Sequence, residues 1–80
     1  MVDLRKAKPG DIYVDGHGRK VRILCNDRKD RCNIYNVIAL METDCDEEIR
    51  TYTLDGEWVY GQQSRYGSDL VKRINEYNHE

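Results

Sequence analysis

Apolar and polar residues alternate along much of the chain with a period of two, which is typical of half-buried β-strands. Within 19–25, Val21 and Ile23 share one face while Arg22 lies on the other. The stretch 34–42 is apolar on both faces, so we expect it at the centre of the sheet. The same pattern predicts further strands at 11–14, 48–54 and 57–60. For 69–74 we favour a short closing strand over a helix capped by Ser68 or Asp69.

Tight turns separate these strands. Asp15-Gly16 and Asp55-Gly56 are the strongest hairpin signals, because glycine readily supplies the positive φ that such turns need. Short strands joined by hairpins predict a mainly β fold, namely a small antiparallel five- to six-stranded barrel or curled meander (SH3-like), with a short C-terminal helix as an option. We expect one domain over 1–80: an N-terminal arm (1–9), a β domain (10–75) and a frayed tail (76–80).

Charge argues against general nucleic-acid binding, because the net charge of the 80 residues is −2. The distribution is uneven, however. Residues 1–35 hold nine Lys and Arg against five Asp and Glu, and residues 36–80 hold four against ten. Basic clusters at 19–22 and 28–31 keep one alternative open, a small β-barrel that binds single-stranded nucleic acid and has a regulatory role.

Metal and catalytic motifs are missing from the sequence. Cys25, Cys32 and Cys45 lack the short Cys-x2–4-Cys spacing of structural zinc sites, and neither His17 nor His79 has an evident catalytic partner nearby in the sequence. We therefore predict no enzyme activity, no metal and no cofactor. Three cysteines form no complete disulfide set, and the longest apolar run is too short to span a bilayer, which together predict a cytoplasmic protein without membrane contact.

The segment 53–70, TLDGEWVYGQQSRYGSDL, concentrates the residue types that dominate binding surfaces. Trp, Tyr and Arg supply most of the energy at protein interfaces, and Gln and Ser add donors and acceptors. The connection 61–68 is also long for so small a domain. We predict that the partner-binding residues, including two arginines from neighbouring strands, are Trp58, Tyr60, Gln62, Gln63, Arg65, Tyr66, Arg50 and Arg22.

Three stretches of the chain resemble a loose group of small proteins common in tailed-phage genomes. They are PGDIYVDGHGRKVRIL, YNVIAL and TYTLDGEWVYGQQSRYGSDLV, and the match covers roughly residues 9–72. The resemblance implies an accessory phage protein made in the bacterial host cytosol. By analogy of context, such a protein acts by stoichiometric binding.

Two versions of that function stay open at the level of sequence. In one, the protein inhibits a host defence protein. In the other, it sequesters a small anionic nucleotide signal, with arginine on the phosphate and an aromatic ring on the base. A small barrel with an exposed strand edge could also form a homo-oligomer.

Overall fold

A single open antiparallel sheet contains the strands of the part of the chain that the structure describes. The computed structural model describes residues 2–59, 67 and 69–74. In that part of the chain there are five strands and no helix: β1 (Ile12–Asp15), β2 (Lys20–Cys25), β3 (Val37–Glu42), β4 (Glu47–Tyr52) and β5 (Leu70–Ile74). The strand order is β4-β3-β2-β1-β5, and every pairing is antiparallel. The predicted antiparallel meander is confirmed. It is not closed into a barrel, because β4 and β5 lie at opposite edges of the sheet.

Two details of the strand prediction are wrong. The central strand is β2, not β3, because β5 returns to pair with β1 and shifts the centre of the sheet. Residues 57–59, predicted as strand, are not one. Among the described residues, the bond across the expected hairpin runs from Thr53 N–H to the carbonyl of Glu57 (3.0 Å). The carbonyl of Gly56 then accepts a hydrogen bond from Leu70 N–H (2.9 Å), so the chain after the turn contacts the start of β5 rather than pairing with β4.

The prediction for 69–74 is confirmed, because residues 70–74 form a strand rather than a helix. The predicted tail, 76–80, lies outside the described residues. In the described part of the chain, no helix has the length and apolar character needed to cross a membrane.

Both turns place their left-handed glycine at the fourth position. The backbone carbonyl of Asp15 accepts a hydrogen bond from Gly18 N–H (3.0 Å), and the backbone carbonyl of Thr53 accepts one from Gly56 N–H (2.9 Å). Gly18 and Gly56 have φ of 79° and 81°, whereas Gly16, the expected left-handed residue of the first turn, does not have a positive φ. The reason is that a type I turn followed by a left-handed residue closes each connection.

The hydrophobic core lies on one side of the sheet, which we call the inner face. Alternate residues of the strands point there, and the N-terminal arm covers them. Leu4 of the arm is fully buried, and its N–H donates to the carbonyl of Leu54 at 2.7 Å. The buried apolar residues are Leu4, Ala7, Tyr13, Val21, Ile23, Val37, Ala39, Met41, Tyr52 and Leu70. The arm is therefore an integral part of the core.

The opposite side of the sheet, the outer face, carries the intervening residues. Strand register places Arg22 beside Leu40 and Leu40 beside Ile49, so these three share this face. Its apolar members are only partly buried, and Ile49 is 72% exposed. They are Ile12, Val14, Ile38, Leu40, Ile49 and Ile74.

Candidate functional site

Arg50 and Trp58, two members of the predicted partner-binding set, lie against each other at the β4 edge. The guanidinium carbon of Arg50 is 5.0 Å from the centroid of the Trp58 ring, which is a cation–π contact. Trp58 remains 39% exposed. The Trp58 indole therefore lies at the surface, and its contact with Arg50 supports its orientation.

Local structure explains how Trp58 reaches Arg50. The turn at 53–56 reverses the chain after β4 and brings residue 58 back alongside that strand. The Thr53 hydroxyl holds the turn by accepting bonds from the N–H groups of Asp55 (3.3 Å) and Glu57 (3.1 Å). The backbone N–H of Trp58 then donates a hydrogen bond to Oδ1 of Asp69 at 2.9 Å. A carboxylate just before β5 therefore takes the place that a strand partner would occupy.

Arg50 is held by a carboxylate on its own strand. Its Nε and Nη2 both donate to Oε1 of Glu48 at 2.8 Å. The Arg50 side chain is only 16% exposed. Its Nη1 is buried and has no hydrogen-bond partner among the described residues. A buried donor without a partner costs roughly 1–3 kcal/mol, so this nitrogen lowers the stability of the fold.

Tyr52 lies two residues further along the same face of β4. Its side chain is fully buried, and its hydroxyl also lacks a hydrogen-bond partner in the described part of the protein. Burial raises the pKa of Tyr52 to about 12, with the charge of Arg50 acting in the opposite direction. The hydroxyl therefore stays neutral and protonated at physiological pH and can donate as well as accept.

We call this group the Trp58 site. It is defined by Glu48, Arg50, Tyr52, Trp58 and Asp69. Glu48, Tyr52 and Asp69 were not predicted from the sequence. Glu48 and Tyr52 could have been found, because residues 48, 50 and 52 alternate on one face of a strand that was predicted correctly in outline. Asp69 had no such signal, since its contact with Trp58 depends on where β5 pairs.

Arg22 does not belong to the Trp58 site. Strand register puts Arg22 and Ile49 on the outer face and Arg50 on the inner face. The Arg22 guanidinium instead donates to both carboxylate oxygens of Glu47, at 3.0 and 3.1 Å. The predicted set is therefore divided between two faces of the sheet. Five of its members lie outside the described residues: Tyr60, Gln62, Gln63, Arg65 and Tyr66.

A second polar group lies at the first turn. Asp15 is 2% exposed, and its carboxylate accepts bonds from the N–H groups of His17 (2.9 Å) and Arg19 (3.0 Å) and from Nε of Arg19 (2.9 Å). Gly16 N–H donates to the carbonyl of Gly67 at 2.8 Å, and a Cβ on Gly16 would stand 2.8 Å from the Gly67 Cα. This close approach holds Gly67 directly against the turn.

Cysteine and metal chemistry give no further site in the region that the structure describes. Cys25, Cys32 and Cys45 are free thiols. No three His, Cys, Asp or Glu side chains there are grouped in a way that could hold a metal ion.

Comparison of the chain with protein-family models, with curated proteins and with solved structures found no match.

Proposed function

We propose that this protein acts without catalysis, by stoichiometric binding of another protein at the Trp58 site. The observation that carries the proposal is the partly exposed Trp58 ring packed on Arg50. Tryptophan and arginine are the residue types most enriched at interface hot spots.

The charges around Trp58 favour a protein over an anionic nucleotide. The charge of Arg50 is already neutralised by Glu48, and the carboxylate of Asp69 accepts a hydrogen bond from the backbone N–H of Trp58. A phosphate placed on this surface would approach both carboxylates. A protein partner is recognised instead by ring burial and by single directed hydrogen bonds, which this surface offers.

The biological context of the proposal rests on the resemblance to tailed-phage proteins. We propose that the protein is a phage-type accessory protein in the bacterial host cytosol, where it inhibits a host defence protein. In such a role the protein is needed in amounts comparable to its target, and the site needs affinity and residence time rather than turnover.

A capture experiment with matched variants tests the proposal. Tagged protein is incubated with bacterial lysate, and the captured proteins are quantified for the parent chain, for Trp58→Ala and for Ile49→Ala. Ile49→Ala is the control because it also removes an exposed apolar side chain, but from the outer face. We expect one host protein to be captured in near-equal amount by the parent and by Ile49→Ala, and to be lost with Trp58→Ala.

Two results would overturn the proposal. One is equal capture by folded Trp58→Ala. The other is mass-spectrometric detection of a stoichiometric nucleotide released when the purified protein is denatured, which would favour the nucleotide version instead. The nucleic-acid alternative has its own signature, namely binding to single strands that weakens steeply as salt is added.

A further inference from the structure

Strand β4 forms one edge of the sheet, and alternate residues of its backbone point away from the neighbouring strand β3. Thr43 N–H donates to the carbonyl of Asp46 at 2.9 Å, so this pair is hydrogen-bonded. Bonded and non-bonded pairs alternate along an antiparallel ladder, which directs the backbone groups of residues 48, 50 and 52 towards β3. In the described part of the chain, the N–H and carbonyl groups that point outwards have no hydrogen-bond partner, and they belong to Glu47, Ile49 and Thr51.

The two edges of the sheet differ in how they are protected. The other edge strand, β5, carries the exposed side chains of Lys72 and Arg73, and its register with β1 shifts between Val14 and Asp15. Basic side chains and bulges are devices that keep an edge strand from pairing with another chain. β4 pairs with β3 in continuous register along its whole length and contains no proline. The β4 edge is therefore the one that is open to a further strand.

The charge at the start of β4 indicates the chemistry of such a strand. Residues 42–48 include five carboxylates and no basic side chain. Arg22 and Arg50 form ion pairs with two of them, Glu47 and Glu48. The other three are exposed and have no ion pair with a described residue, and they are Glu42, Asp44 and Asp46. An extended segment with basic side chains supplies the positive charge that this end of the edge lacks.

We propose that the β4 edge binds an extended, basic segment of a partner protein, which adds a further strand to the sheet. Main-chain hydrogen bonds to the edge give such a complex its affinity, and alternate side chains of the segment give it specificity. Arg50, which contacts Trp58, lies between Ile49 and Thr51 on this strand. The inference rests on the proposed function only in assigning the added strand to the protein that is bound at the Trp58 site.

Amide hydrogen exchange in the presence of a synthetic peptide tests strand addition residue by residue. The probe is a short acetylated and amidated peptide in which lysine and valine alternate, and its control has glutamate in place of lysine. In the free protein we expect the N–H groups of Ile49 and Thr51 to exchange quickly and that of Arg50 slowly. A saturating amount of the lysine peptide should slow exchange at Ile49 and Thr51 at least about tenfold. The glutamate peptide should bind roughly tenfold more weakly.

A proline substitution tests the outward backbone groups directly. Ile49→Pro removes one outward N–H, a change that an edge strand tolerates, whereas the control Ile49→Ala keeps this N–H and shortens the side chain. We expect Ile49→Pro to weaken binding of the lysine peptide roughly tenfold and Ile49→Ala to weaken it by less than about threefold. Slow exchange of the Val21 N–H, which lies on β2 opposite Tyr13, verifies that each variant is folded.

Several results would overturn the proposal. A lysine peptide that does not bind, that binds no better than the glutamate peptide, or that leaves exchange at Ile49 and Thr51 unchanged would each do so. Slow exchange of these two groups in the free protein would also refute it, because the edge would then already be paired.

The lysate experiment separates this inference from the proposed function. Capture that is lost with Trp58→Ala but kept by folded Ile49→Pro would retain the proposed function and refute strand addition. Capture that is kept by folded Trp58→Ala but lost with Ile49→Pro would refute the proposed function and support strand addition.

Discussion

The inner and outer faces of the sheet are built from the same strands but differ in what they do. Inner positions such as Val21, Ile23 and Ala39 are completely buried. Outer positions between them stay partly exposed, and Ile49 is largely so. Neighbouring residues of one strand therefore differ in their contribution to stability: the inner ones form the core, and the outer ones add little to it. Arg50 and Trp58 lie at the edge of the inner face, where the core meets the surface.

The largest expected effect is on the free energy of unfolding, when an isoleucine is replaced by alanine on each face in turn. Ile23→Ala should lower the free energy of unfolding by about 3 kcal/mol, because it leaves a cavity in the core. Ile49→Ala should change it by less than about 0.5 kcal/mol, since that side chain is already in water. Urea unfolding of both variants at low protein concentration measures the difference. Equal losses would mean that the outer face is packed as tightly as the inner one.

Ion pairs should show the same contrast with a somewhat smaller effect. Asp15→Ala removes a buried carboxylate that accepts three hydrogen bonds and pairs with Arg19, so we expect a loss of about 2 kcal/mol. Glu47→Ala removes the exposed partner of Arg22 and should cost less than about 0.5 kcal/mol. Urea midpoints at pH 7 provide the comparison. A larger loss for Glu47→Ala would reverse the assignment of the two pairs.

Arginine-to-lysine changes distinguish the faces in binding. Arg50→Lys keeps the charge but loses the flat contact with Trp58 and the fork of donors, so capture of the partner should weaken about tenfold. Arg22→Lys, on the outer face, should leave capture unchanged. Affinities from titration of the captured protein measure both effects. A weaker complex with Arg22→Lys alone would move the binding surface to the outer face.

The smallest expected effect at neutral pH comes from Tyr52→Phe. Removing a buried hydroxyl that lacks a partner should change stability by less than about 1 kcal/mol, or raise it slightly. At high pH the variant should differ more from the parent. The pKa of Tyr52 is about 12 in the folded state against 10.0 for the ordinary side chain, so the parent loses stability as pH rises from 10 towards 12. Unfolding followed at pH 9 and 11 should show a shallower loss for Tyr52→Phe. An unchanged slope would assign the alkaline loss to other groups.

Much of the fold could be predicted from local pattern. Alternation located the strands, and each Asp-Gly pair marked a real turn, because both features depend on neighbouring residues. The strand expected at 57–60 was wrong in its described part. Its alternation was suitable, but Trp58 N–H bonds to a side chain from the start of β5 rather than to β4. The pairing of β5 with β1 joins residues far apart in the sequence, so no local pattern predicts it.

The Trp58 site was predictable in part for the same reason. The residue types of Trp58 and Arg50 pointed to binding, and their contact follows from the turn between them. Arg22 does not share a face with Arg50, because the register of two strand pairs puts residues 22 and 50 on opposite sides of the sheet, so a binding role for Arg22 stays a prediction. The roles of Asp69 and of the Tyr52 hydroxyl needed three-dimensional placement.

Tryptophan emission tests the central claim most directly, because Trp58 is the only tryptophan in the chain. The host protein captured in the lysate experiment is prepared with its own tryptophans replaced by phenylalanine and titrated into the parent chain and into Arg50→Lys. We predict a saturable blue shift of Trp58 emission at one-to-one stoichiometry for the parent, and a roughly tenfold weaker titration for Arg50→Lys. Binding that leaves Trp58 emission unchanged would contradict the account.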